Sequence, residues 1–69
     1  MITVKEILDT FYCSCNYEKV IFTEVGSPLP CVGSITRKDV WERNYGEFSD
    51  RKVKKFGFYN HNVLVCLFN

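Results

Sequence analysis

The apolar positions Val4, Ile7, Leu8 and Phe11 recur at i, i+3, i+4 and i+7, which places them in one stripe along a helix. Thr3 and Glu6 open that stripe as a Thr-x-x-Glu capping box. The Thr3 hydroxyl can accept from the Glu6 N–H, and the Glu6 carboxylate from the Thr3 N–H. Ile2 before the cap and Ile7 inside it match a hydrophobic staple. The pattern predicts an amphipathic helix over residues 3–11. So short a helix does not hold alone in water, so its stripe must rest on something apolar.

After a connector, Tyr12 to Asn16, the rhythm changes. Residues 19–25 are rich in β-branched and aromatic side chains and read as a strand. Pro28 and Pro30 mark the next stretch as a loop. Residues 31–35 form a short strand, with Gly33 marking a bulge or a close approach. Thr36 and Asp39 repeat the helix-start signal. From there to Tyr45 the chain is either about two helical turns ended by Gly46, with Trp41 and Tyr45 on one face, or an irregular loop. Two last strands, residues 54–59 and 63–68, flank the turn Asn60-His61-Asn62. Val53 is out of phase with Phe56 and Phe58, so either a bulge lies near Lys54-Lys55 or the strand begins there. Residues 63–68 have no polar position. Such a strand is covered on both faces or shows one face to a partner, and it belongs in the middle of a sheet. The simplest assembly is a single α+β domain over residues 1–69, with the N-terminal helix across one face of an antiparallel sheet of about four strands. The other face is then covered by the Trp41 segment or by a second copy of the chain, which leaves a homodimer open.

Length limits what this fold can be. With 69 residues, the chain buries only about 60% of the surface it exposes unfolded, and its core supplies roughly 3–5 kcal/mol. Six Phe, four Tyr and one Trp are more rings than a core of this size takes in, so some face outward, where rings favour interfaces. The net charge is +1, divided as −2 over residues 1–30 and +3 over residues 31–69, too mild for a strongly basic nucleic-acid-binding domain. No basic segment followed by an apolar run opens the chain, and no stretch is long enough to span a membrane. A cytoplasmic protein with free thiols is the expectation.

Candidate chemistry is sparse. Cys13 and Cys15 are too closely spaced for a structural zinc clamp, and Cys66 belongs to an apolar strand, so no metal or cofactor is expected. His61, the one histidine, sits between two asparagines in a turn, with no nucleophile elbow or phosphate-binding loop to serve. The expectation is a protein that is not an enzyme. Two binding constellations remain. Arg37, Trp41, Arg43 and Tyr45 combine the residue types that dominate protein-binding hot spots. The basic run Arg51, Lys52, Lys54 and Lys55 leads into Phe56 and Phe58, a mix of charge and rings that suits nucleic acid. Lys54, Phe56, Gly57 and Phe58 resemble the aromatic strand motif of RNA-recognition domains, with Lys55 where that motif has glycine.

Taken together, Thr3-Val4-Lys5-Glu6-Ile7-Leu8, Tyr17-Glu18-Lys19-Val20-Ile21-Phe22, Val53-Lys54-Lys55-Phe56 and Val63-Leu64-Val65 resemble a type of small protein carried by phages and mobile elements of Gram-positive bacteria. The resemblance implies a short helix followed by a compact sheet, with no catalytic residues. It also implies a context in which small proteins bind and block a host machine, as anti-CRISPR and other anti-defence inhibitors do. The expectation is a non-enzymatic binding protein that contacts a host protein. Nucleic-acid binding through residues 51–59 is the alternative.

Overall fold

A computed structural model of the chain describes residues 1–11 and 16–69; the side chain of Phe11 and the thiols of Cys13 and Cys15 lie outside the described residues. The N-terminal helix, α1, runs Val4–Phe11, and the capping box forms as the sequence predicts. The Thr3 N–H donates to Glu6 Oε1 at 3.1 Å, and the Glu6 N–H donates to Thr3 Oγ1 at 3.3 Å. The Thr3 N–H, and the Thr3 hydroxyl at 3.0 Å, donate to the charged Glu6 carboxylate and hold its pKa below its ordinary value.

Four strands follow: β1, Lys19–Glu24; β2, Gly33–Thr36; β3, Val53–Tyr59; and β4, Asn62–Leu67. They form one sheet in the order β2-β1-β4-β3. The last strand is central, as its uninterrupted apolar run requires. The expected antiparallel sheet is corrected to a mixed one. β2 and β3 run antiparallel to their neighbours, but β1 and β4 pair in parallel, with Val20 opposite Val63 and Phe22 opposite Val65. The reason is topological. β2 and β3 occupy the outer positions, so the two apolar strands meet in the middle, and the long connection between them lets them run the same way.

Alternation in these strands divides the sheet into two faces. Val20, Phe22, Val63, Val65 and Leu67 are fully buried on one. On that face they join Val4, Ile7 and Leu8 of α1 in a single cluster. A second helix, α2 (Arg37–Trp41), adds Val40, and the following one-turn 3-10 helix, Gly46–Phe48, adds Phe48. The Phe48 ring stacks on Phe22, with centroids 4.2 Å apart and planes 15° from parallel. Gly33 makes the close approach that its place in a strand predicts, because a Cβ there would meet Phe48 Cζ at 2.6 Å. Both helices and the 3-10 turn therefore cover the same face. The Trp41 segment does not cover the other.

α2 starts on a second capping box, with the Asp39 N–H donating to Thr36 Oγ1 and the Thr36 N–H to Asp39 Oδ2, both at 3.0 Å. It ends sooner than Gly46. Asn44 N–H donates to the Asp39 carbonyl and Arg43 N–H to the Val40 carbonyl, with Arg43 in the left-handed region at φ 56°. This is the hydrogen-bond pattern of a Schellman stop, here with arginine where glycine is usual. The bulge also forms. Val53 faces Leu67 and Lys55 faces Cys66, which leaves Lys54 as the extra residue and returns Val53 to the core. Asn60 and His61 both have positive φ, the mark of a two-residue type I′ hairpin turn.

Candidate functional site

The candidate residues on α2 separate. Trp41 is 61% exposed, whereas Tyr45 is 3% exposed. The expected shared face is lost because the helix stops at Trp41 and the Schellman turn swings Tyr45 back into the core. There its hydroxyl donates to Asp9 Oδ1 of α1, and Arg43 Nε lies 3.8 Å from the same oxygen. Burial, then the bond to Asp9 and its negative charge, push the Tyr45 pKa well above the usual tyrosine value. Tyr45 thus ties the loop after α2 to α1, and Trp41 and Arg43 remain as the exposed members of that group. Arg37 is half-buried over the Tyr17 ring, 5.3 Å from its centroid, and donates to Asn16 Oδ1 at 2.9 Å.

The raised pKa has a consequence for stability. Folding favours the neutral phenol, so Tyr45 stabilises the fold fully below about pH 10, the unfolded value, and that stabilisation is lost as pH rises beyond it. Tyr45→Phe is expected to cost about 1 kcal/mol at neutral pH and to flatten the loss of stability above pH ~10. Denaturant titrations of both proteins at neutral and alkaline pH check this. Equal alkaline losses would exclude Tyr45 as the cause.

The basic-aromatic stretch also divides. Arg51 turns inward, donating to Glu24 Oε2 at 2.5 Å and to the Phe68 carbonyl at 2.9 Å. Lys52, Lys54 and Lys55 are exposed. Phe56 and Phe58, 51% and 59% exposed, lie opposite Val65 and Val63 and so share the helix-covered side of the sheet at its edge. Lys55, Gly57 and Tyr59 lie on the other side, opposite Cys66, Leu64 and Asn62. Spacing within β3 signals this split, since residues two apart share a face. Alternation therefore directs Lys55 and the two Phe side chains to different sides of β3, while all three residues border one depression.

That other side of the sheet is the second apolar face that residues 63–68 signal, and of the candidate site residues only Lys55 is directed to it by alternation. Its middle consists of half-buried Ile21, Thr23, Leu64 and Cys66, bordered by the exposed Tyr59. The charged strand residues that alternation directs this way are Lys19 and Lys55, with no carboxylate among them. A shallow depression of about 380 Å³ opens between Thr23, Leu64, Cys66 and the β3 residues 55–59, Phe56 and Phe58 included, and every described residue lining it belongs to a strand. A second depression lies between Asn16, Tyr17, Glu18, Arg37 and His61. Its guanidinium is already engaged by Tyr17 and Asn16.

Among the described residues, no three His, Cys, Asp or Glu side chains gather closely enough to hold a metal ion. Cys31 and Cys66 are free thiols. No described helix is long and apolar enough to cross a membrane. No family model, curated protein or solved structure matches the chain.

Proposed function

We propose that this chain is a non-enzymatic binding protein that acts by protein–protein contact, with the open side of its sheet as the contact surface. The observation that carries this reading is the uneven cover of the sheet. α1, α2 and the 3-10 turn all pack on one face, while the other presents Ile21, Leu64, Cys66 and Tyr59 between two lysines. A contiguous apolar patch rimmed by charge is the usual form of a protein-binding surface. The lysines select a partner that brings acidic groups to the rim. They also oppose face-to-face pairing with a second copy, which would bring like charges together. In its most specific form the reading is an inhibitor, encoded by a phage or mobile element, that binds a host bacterial defence complex. That form rests on the resemblance and on size.

Nucleic-acid binding draws support from the exposed Lys52, Lys54 and Lys55. The Phe56 and Phe58 side chains alternate to the side opposite Lys55, though all three residues border the same depression.

The test expresses the chain in bacteria armed with different defence systems and counts phage plaques, then reconstitutes any captured complex from purified components. Restored plaquing together with a stoichiometric complex that survives nuclease and high salt is the expected result. Unchanged plaquing across the panel would remove the inhibitor form. Capture that disappears with nuclease, or affinity that falls steeply with salt, would move the function to nucleic acid.

A further inference from the structure

Gly57 is a residue that the fold does not need. It sits in the middle of β3, opposite Leu64. Its φ is not positive, in contrast to Gly26 and Gly46, and a Cβ built on it would meet no atom of the described residues within 4 Å. Glycine in a strand interior is destabilising by about 0.5–1 kcal/mol relative to alanine, and it commonly marks a place where another molecule comes close to the backbone. Gly33 has such a reason inside the molecule, in the Phe48 ring. Gly57 has none inside it.

We propose that Gly57 is the floor of a docking notch for a protein partner, which inserts one large apolar side chain there and sets a carboxylate beside Lys55. This rests on the reading of the open sheet face as the binding surface. Alternation puts Lys55, Gly57 and Tyr59 in one row on that face. The missing side chain leaves a gap between an amine on one side and a phenol ring on the other, and Leu64 and Cys66 form the neighbouring wall. The depression of about 380 Å³ has room for an aromatic or long aliphatic side chain. Its lining sets the chemistry. Leu64, Cys66 and the aromatic residues Phe56, Phe58 and Tyr59 offer apolar contact, and Thr23 and Lys55 are the polar residues at its border. A nucleobase is read through hydrogen bonds along its edge, and a wall of this kind supplies few. An apolar anchor in a pocket, with a charged pair at the rim, is the pattern of a protein hot spot.

The test uses the whole chain and a displayed library of random peptides, with the variants Gly57→Val, Lys55→Glu and Glu47→Ala. Selection on the wild type is expected to enrich peptides that carry a large apolar residue next to Asp or Glu. Gly57→Val fills the notch without touching the fold, so it is expected to melt at or above the wild-type temperature while losing about tenfold or more in affinity, some 1.4 kcal/mol. Lys55→Glu should weaken the same peptides, and Glu47→Ala, on the 3-10 turn, should not. Amide shifts on titration should centre on Thr23, Gly57, Tyr59 and Leu64. Peptides that bind Gly57→Val as well as wild type, and lose affinity with Trp41→Ala instead, would overturn the notch yet leave a protein-binding function standing. A selection that enriches nothing would overturn both. Competition by a polythymidine oligonucleotide that depends on Gly57 would assign the notch to a base. Self-association abolished by Gly57→Val would assign it to a second copy.

Discussion

Phe22→Ala is expected to abolish the cooperative thermal transition of this protein. Phe22 is fully buried, pairs with Val65 on the central strand and stacks on Phe48 at 4.2 Å. Truncating a buried Phe costs about 3–5 kcal/mol through lost transfer energy and the cavity left behind. A chain of this length has roughly 3–5 kcal/mol in total, so the loss equals the whole margin. The cavity cannot collapse easily, because the sheet backbone fixes one side and the helix and 3-10 layer the other. Circular dichroism with temperature and the spread of amide proton shifts check the outcome. A cooperative melt within a few degrees of wild type would show that the stack contributes far less than its burial implies.

The same substitution at two glycines of one sheet is expected to act with opposite sign. At Gly33 an added methyl would lie 2.6 Å from Phe48 Cζ and 3.1 Å from Cε2. That ring is stacked against Phe22 and cannot retreat without opening the core. Overpacking of this kind costs typically 1–3 kcal/mol, so Gly33→Ala should lower the midpoint of urea unfolding sharply. At Gly57 the methyl meets no atom of the described residues within 4 Å, and relief of the glycine penalty should raise the midpoint, with a gain of about 0.5–1 kcal/mol in stability. Two shifts of the same sign would break the distinction between a glycine required by the core and one that leaves room for something outside it.

What could be read from the residues alone was what local chemistry decides. Both capping boxes are three-residue relationships, at Thr3 with Glu6 and at Thr36 with Asp39, and both formed. The parity disagreement between Val53 and Phe56 was legible but left a bulge or a later strand start open, and the register shift between Val53 and Lys55 decides for the bulge. Gly33 was legible as a bulge or a close approach, and the Phe48 ring decides for the second. The parallel pairing of β1 with β4 was not legible, because strand order depends on contacts between distant segments and neither strand carries a mark of its neighbour's direction. The stop of α2 was misplaced because Gly46 is the residue that ordinarily takes a left-handed cap, whereas Arg43 takes it here at some cost in backbone strain. That shift of three residues decided the candidate site. It left Trp41 outside and sent Tyr45 to Asp9. The division of β3 into a lysine side and a phenylalanine side follows from alternation, once the bulge has set which residues count from where.

The parallel pair at the centre of the sheet also bears on how quickly the chain finds its fold. β3 and β4 are joined by a two-residue turn, so their hairpin can form on the microsecond scale of local structure. By itself it gains little core, since Val63, Val65 and Leu67 share their cluster mostly with residues that precede the hairpin, from Val4 to Phe48. Val20 must first meet Val63 across more than half the chain, and the entropy of closing that loop falls due before any packing offsets it. A protein this small would usually be a fast folder. Closing the β1–β4 loop is expected to place this one toward the slow end for its size, with an unpaired apolar hairpin as the species most exposed to aggregation while it waits.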